Sequence, residues 1–239
     1  YDLQVYDKKL TKLKIKDAIK NNAKVLENTK VINIEQSSSY WQIFLENNQV
    51  IKSKILINAS GPWIDETLQN VIKINSKKKI RLVKGSHIIT NKIYDEDVAF
   101  TLQNNDKRII FVIPYKEKYS LIGTTEIEVN SPEKNSIDDS EITYLINCVN
   151  SYFKKQISKE DIVDTYSGIR PLIEDFSEAT KVTRDYIFDL NIHNNLPLLS
   201  IYGGKLTTYR KLSENVLNKL SKYLPKDKIR SWTDKKKLI

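Results

Sequence analysis

Hydrophobic and polar positions follow each other along this chain in short stretches, each with its own period. After Asp7, the residues Leu10, Leu13, Ile15, Ala18 and Ile19 fall at roughly helical spacing and draw an incomplete apolar stripe. Val31 to Glu35 and Tyr40 to Leu45 alternate or run apolar as strands do, and Asn47-Asn48 reads as a hairpin turn into a return strand. Ile55-Leu56-Ile57 then leads through Asn58-Ala59-Ser60-Gly61-Pro62-Trp63 into a helix-like segment, Ile64 to Val71. A buried strand, a small-residue turn and a helix start are the means by which α/β proteins aim backbone N–H groups at a phosphate or a cofactor edge.

The middle of the chain changes period. Ile80 to Thr90, Val98 to Gln103, Arg108 to Pro114 and Ser120 to Thr125 are strand-like, with turns near Asn104-Asn105-Asp106 and Lys116-Glu117-Lys118, which predicts an antiparallel meander. A helix is expected from Ser136, with Asp138, Asp139 and Glu141 in its first turn opposing the dipole and Ile142, Leu145, Ile146, Val149 and Phe153 on its apolar stripe. Cys148 and Tyr152 adjoin that stripe and read as packing residues. Ile162 to Tyr166, Lys181 to Leu190 and Leu198 to Tyr202 are further strands. A last helix carries Tyr209, Leu212, Val216, Leu217 and Leu220 along one face until Pro225 breaks it. The sequence shows neither an internal repeat nor a low-complexity linker.

Composition narrows the function classes. The 239 residues are 40% apolar and 29% charged, which describes a folded protein of one large domain or two small ones. One cysteine and two histidines exclude a disulfide framework and make a metal centre improbable, and no run approaches the length of a spanning helix. The start Tyr1-Asp2-Leu3 carries no signal peptide and no initiator Met, so the expectation is an intracellular chain cut from a longer protein. A net charge of +9 gathers at the two ends. Neither basic run is interleaved with the aromatic residues that base stacking needs, so nucleic-acid binding is not expected, while attraction to an anionic membrane surface is compatible with them.

The six glycines, Gly61, Gly85, Gly123, Gly168, Gly203 and Gly204, all read as strand ends or turns. With their neighbours they spell Asn58-Ala59-Ser60-Gly61-Pro62-Trp63, Arg81-Leu82-Val83-Lys84-Gly85-Ser86-His87, Ile122-Gly123-Thr124-Thr125, Tyr166-Ser167-Gly168-Ile169-Arg170-Pro171-Leu172, Thr183-Arg184-Asp185-Tyr186 and Gly203-Gly204-Lys205-Leu206-Thr207-Thr208-Tyr209-Arg210. Carrying these phrases in order over nearly its whole length, the sequence resembles the FAD-dependent, quinone-linked glycerol-3-phosphate dehydrogenases of the D-amino-acid-oxidase-like flavoprotein superfamily. The family's opening strand and Gly-x-Gly-x-x-Gly turn are missing, as is its helical C-terminal domain. The resemblance therefore implies an internal fragment that holds FAD poorly and is inactive by itself.

The fold it implies is an α/β mixture, part of a Rossmann-like FAD-binding domain (residues 1–70 and 174–239) with an inserted antiparallel β-sheet cap (71–173) over the substrate. The reaction it implies is oxidation of sn-glycerol 3-phosphate to dihydroxyacetone phosphate by hydride transfer to flavin. Arg170 offers a rigid fork of donors that matches a phosphate, and the resemblance places it in the substrate pocket; the plain alternative is an ion pair with Glu174 or Asp175. His87 titrates near neutrality and is the candidate base for the hydroxyl proton, or else an ordinary polar residue ending a strand. His193, in the polar stretch Asn191 to Asn195, is expected to be exposed.

Gly203, Gly204, Lys205, Leu206 and Thr207 sit where a strand meets the final helix. The N–H groups of that helix are expected at the pyrimidine edge of the flavin, where charge accumulates on reduction. By resemblance Lys205 also acts in catalysis and, with Thr207, lies near flavin and substrate. Arg184 completes a basic substrate pocket, or else pairs with Asp185; Ser60, Gly61 and Trp63 border the cofactor, Trp63 being equally a core candidate. The family works peripherally on the cytoplasmic face of the cell membrane, with a quinone acceptor and a small phosphorylated substrate. Oligomeric state is left open, a dimer being compatible. The rival readings are an amine or amino-acid oxidase of the same superfamily and a non-catalytic basic module that binds anionic surfaces or nucleic acid.

Overall fold

Period-two burial explains the first strands. β1 (Val31–Gln36), β2 (Trp41–Leu45) and β3 (Val50–Ser53) form an antiparallel sheet in that order, and in β2 Trp41, Ile43 and Leu45 are buried while Gln42 and Phe44 are less so. Trp41 closes this side by donating its indole N–H to the Pro197 carbonyl at 3.3 Å. The computed structural model describes residues 5–75, 78–173, 186–225 and 232–236. These belong to two units, the first comprising Tyr1–Ser60, Ile64–Ser76 and Arg184–Ile239 and the second Gly61–Trp63 and Lys77–Thr183.

In the first unit β4 (Leu56–Asn58) runs parallel to β12 (Leu196–Gly203), which pairs antiparallel with β11 (Tyr186–His193). Parallel neighbours need a long connection, and here the second unit's chain lies between them in sequence. Leu199 of β12 packs with Val216 and Leu220, at the end of α4 (Tyr209–Lys219), each such burial stabilising by about 1.5–3 kcal/mol. Two details depart from expectation. Leu217 points outward at 47% exposure, because the packed positions are Leu212, Val216 and Leu220, and the helix ends at Lys219, well before Pro225. The opening helix α1 (Asp7–Lys20) forms but buries no residue, in keeping with its incomplete stripe. The expected helix after Trp63 is one α-turn, α2 (Ile64–Glu66), continued as a π-helix over Thr67–Ile72 and stopped by Lys73 in the left-handed region at φ 61°.

The second unit is a six-stranded antiparallel sheet covered on one face by a helix. Its strands are β5 (Ile80–Asn91), β6 (Phe100–Gln103), β7 (Ile109–Tyr115), β8 (Tyr119–Gly123), β9 (Ile127–Val129) and β10 (Ile162–Ile173), in the order β10-β5-β8-β7-β6 with β9 also on β5. The meander therefore covers β6 to β8 only, since β5 lies beside β8 and β10 rather than beside β6. Ile88, Ile110, Val112 and Ile122 on one face pack against Leu145, Ile146, Cys148 and Val149 of α3 (Asp139–Tyr152). Burial holds the Cys148 thiol above its usual pKa. Asp138 is the N-cap of α3 and forms a reciprocal capping box with Glu141, so the helix starts later than Ser136. Tyr152 is not packed; it is 52% exposed, and its hydroxyl donates to the Gln103 carbonyl.

Gly85 and Gly168 are neither strand ends nor turns. They lie inside β5 and β10, paired with each other across the ladder, and neither has a positive φ. Gly61, Gly203 and Gly204 do have positive φ, at 59°, 72° and 102°.

Candidate active site

Alternation along β5 sends Val83, Gly85 and His87 to the face away from α3, and Lys84, Ser86 and Ile88 toward it. On β10, Tyr166 stands opposite His87, Gly168 opposite Gly85 and Arg170 opposite Val83, so His87 and Arg170 share one face. His87 is interior to its strand rather than at its end. Its imidazole stacks on Tyr166 with centroids 4.6 Å apart and planes 6° from parallel. On the other side its neighbour is Gly123, where a Cβ would lie 2.2 Å from His87 Cδ2. A Cβ on Gly85 would lie 2.2 Å from Arg170 Nη2. Two glycines thus make the room that the two candidate side chains occupy.

Arg170 is held by the segment between β8 and β9. Nη1 donates to Glu126 Oε1 at 3.0 Å, and Nη2 to Thr124 Oγ1 at 2.9 Å and to the Thr125 carbonyl at 3.3 Å. The carboxylate partner lies across the sheet; Glu174 and Asp175 are outside the described residues. Burial first, and the Arg170 charge second, lower the His87 pKa to about 4, so the imidazole is neutral at physiological pH. Its Nδ1 is buried and has no hydrogen-bond partner among the described residues, a costly state for a polar atom.

The remaining candidates divide between the units. Ser60 donates its hydroxyl to Asn58 Oδ1 at 2.7 Å and accepts from Thr67 Oγ1 at 3.1 Å, so it serves the turn after β4. Trp63 is not core. It is 43% exposed, and its indole N–H donates to Glu133 Oε1 at 2.8 Å. Gly203 and Gly204 turn the chain from β12 into a 3₁₀ turn, Leu206–Thr208, that precedes α4. Lys205 caps this turn, its carbonyl accepting the Thr208 N–H at 3.1 Å, and both Lys205 and Thr207 are exposed. Gly203, Gly204, Lys205, Leu206, Thr207 and Ser60 belong to the first unit; His87, Arg170, Gly61 and Trp63 belong to the second. Arg184 and Asp185 lie outside the described residues. His193, expected in an exposed loop, ends β11 half-buried with its ring edge-on to Trp41, and its Nε2 is buried without a partner among the described residues. No group of metal-binding side chains occurs among the described residues.

Sequence reading passes over Glu126, Tyr166 as a stacking partner, and a buried carboxylate, Glu141. Alternation would have put Tyr166 and Arg170 on one face; nothing local in the chain marks Glu126 as the partner of a residue 44 positions on.

The chain is similar to several known proteins. Aerobic glycerol-3-phosphate dehydrogenase of Escherichia coli is 41% identical over 230 residues, covering 93% of this chain and 46% of that protein. D-erythritol 1-phosphate dehydrogenase of Brucella abortus is 37% identical over 94% of this chain and 46% of its own. The FAD complex of the glycerol-3-phosphate dehydrogenase from Bacillus halodurans superposes with a TM-score of 0.76 at 24% identity, over 90% of this chain and 42% of that one, and so shares the fold. The chain spans about half the length of the relatives it matches. A glycine-lined sheet face bearing His87 and Arg170 is thus found in a sequence whose residues 1–210 match the DAO model, and the chain belongs to that family of FAD-dependent oxidoreductases.

Proposed function

We propose that the protein containing this chain oxidises sn-glycerol 3-phosphate to dihydroxyacetone phosphate and passes the electrons to a quinone. The observation that carries the reading is the pairing of a cationic fork, Arg170, with a neutral, partly buried imidazole, His87, on one face of one sheet, each in space kept by a glycine. FAD, when bound, supplies the hydride acceptor. Gly203 and Gly204 fit its ring edge, because their positive φ values allow backbone to approach closely before a helical turn. Lys205 and Thr207, exposed beside that turn, are assigned to the flavin and substrate side, as are Ser60, Gly61 and Trp63. Arg184 is assigned to the substrate pocket by resemblance alone.

In this reading Arg170 binds the substrate phosphate, and Glu126 keeps the guanidinium oriented before substrate arrives. His87 takes the proton of the C2 hydroxyl on its imidazole. Its low pKa suits a group that must be uncharged at rest, and a phosphate dianion beside Arg170 offsets the guanidinium charge, which raises the basicity of His87 once substrate is in place. The first unit is assigned to the flavin domain and the second to the substrate cap. No helix among the described residues is long and apolar enough to cross a membrane, and the basic ends suit peripheral contact with the cytoplasmic face of the cell membrane.

The test is to purify the full-length protein and add glycerol 3-phosphate without oxygen. Bleaching of the flavin absorption, followed by recovery on addition of a quinone, is expected. Bleaching by glycine or D-amino acids instead would transfer the assignment to amine oxidation, and a colourless protein would remove it.

A further inference from the structure

The face of the second unit's sheet that meets α3 carries a charged group for which the proposed reaction has no direct use. Glu141, in the first turn of α3, is 1% exposed. Its Oε1 accepts from Ser86 Oγ at 2.8 Å and Thr125 Oγ1 at 2.6 Å. Its Oε2 accepts from Lys84 Nζ at 2.7 Å and from the Asp138 N–H at 3.0 Å. Burial raises its pKa, but these donors together outweigh burial and the net shift is downward, so the group is a carboxylate. Capping a helix requires only the Asp138 contact. The other three donors need a different explanation.

Two of them, Ser86 and Thr125, lead back to the site through the sheet. Ser86 immediately precedes His87, so its hydroxyl bond to Glu141 tethers the backbone that presents the imidazole. Thr125 is bound on both faces. Its carbonyl accepts from Arg170 Nη2 at 3.3 Å, while its hydroxyl donates to Glu141 and accepts from the Ser86 N–H at 2.9 Å. Its own N–H donates to the Ser86 carbonyl at 3.2 Å. Residues 124–126, which supply all three named acceptors of Arg170, lie outside any strand and rely on such bonds for their position.

We infer that Glu141, with Lys84 as its counter-charge, is a positioning residue that sets Arg170 and His87 from the opposite face of the sheet by clamping Thr125 and Ser86 to α3. The inference rests on the reading of Arg170 as the phosphate group's partner. It takes from that reading the binding step only, which allows the two to be tested apart.

The probe is inorganic phosphate, titrated calorimetrically into the full-length, flavin-loaded protein and its variants, alongside the KM and kcat for glycerol 3-phosphate. In Glu141→Gln an amide replaces the carboxylate that faces Lys84. In Thr125→Val a near-isosteric side chain loses only the hydroxyl, which keeps the test available where Glu141→Gln folds poorly. Both are expected to weaken phosphate about tenfold, a size typical of coupling within one hydrogen-bond network, and to raise KM more than they lower kcat. Adding Lys84→Met to Glu141→Gln removes the donor facing the new amide and is expected to recover part of the loss. Ile146→Val, in the same helix and core but away from this network, supplies a comparison that lowers stability alone.

If Glu141→Gln and Thr125→Val lower the melting temperature as Ile146→Val does, yet bind phosphate as tightly as the parent, Glu141 is structural only and the inference is overturned. If the parent binds phosphate tightly but does not turn over glycerol 3-phosphate, the reaction assigned above fails while the phosphate affinities of the variants still decide the role of Glu141. A parent that binds no phosphate removes the clamp and the inference together.

Discussion

The two faces of the second unit's sheet differ in how their polar groups are satisfied, although the adjacent β5 residues Ser86 and His87 contribute one to each. Toward α3, Lys84, Ser86, Thr125 and Glu141 are all nearly inaccessible, and each has a partner within hydrogen-bond distance. On the opposite face, His87 keeps a buried nitrogen without a partner among the described residues, and Phe111 and Tyr166 are 43% and 48% exposed. A fold that fully satisfies one buried polar cluster has the means to satisfy another. The unpartnered atom beside an arginine makes His87 the residue to test on this face.

The difference breaks most severely at Glu141. Glu141→Ala leaves Lys84 as a buried charge without its closest counter-ion, and a loss of about 3–5 kcal/mol is expected in denaturant unfolding. The double variant Lys84→Met, Glu141→Leu is expected to lose much less, because it removes both charges together. Equal losses in the two proteins would show that the charges are not a unit.

His87 tests the opposite face. Its folded pKa of about 4 lies below the unfolded value of 6.5, so the folded state resists a proton that the unfolded chain accepts. Its contribution is fully present above pH 6.5 and is lost as pH falls toward 4, by about 3 kcal/mol in all. His87→Asn is expected to remove this component, so that the stability gap between variant and parent changes in the variant's favour between pH 7.5 and pH 4.5. A gap that stays constant over that range would mean that His87 titrates normally.

How much of this was legible follows from the range of each signal. Alternation revealed most strands, and the apolar stripe and acidic first turn revealed α3, because those signals are local. The phrases around His87 and Arg170 singled out both residues as candidates, and alternation alone would have put Tyr166, Gly168 and Arg170 on one face. The interior placement of Gly85 and Gly168 was hidden, since a glycine facing another glycine across a ladder looks like two turns until the register is known. Glu126 was hidden for the same reason, and Glu141 because a capping carboxylate and a buried clamp have the same sequence signature. Three-residue β9 was too short to show a period.

A smaller effect sharpens the comparison at Arg170. Lysine places one ammonium where the guanidinium reaches Glu126, Thr124 and the Thr125 carbonyl at once, so Arg170→Lys keeps the charge and loses the fork. KM for glycerol 3-phosphate is expected to rise about 10- to 100-fold, with the melting temperature nearly unchanged. An unchanged KM would show that the phosphate binds elsewhere.

The paired glycines give the smallest and most local test. Both adopt backbone angles open to any residue, so the comparison isolates the space around each Cβ. At Gly168 a Cβ would meet nothing within 4 Å, and Gly168→Ala is expected to stabilise the protein by about 0.5–1 kcal/mol, since glycine loses the most chain entropy on folding. At Gly85 a methyl would come within 2.2 Å of Arg170 Nη2 and 2.6 Å of Thr124 Oγ1, so Gly85→Ala must move the guanidinium off its acceptors and weaken phosphate binding. Thermal unfolding of the two variants, read beside phosphate affinity, separates these outcomes. A stability loss in Gly168→Ala, in place of the expected gain, would mean that a part of the protein fills the space over Gly168, and that glycine would then be required for packing as Gly85 is.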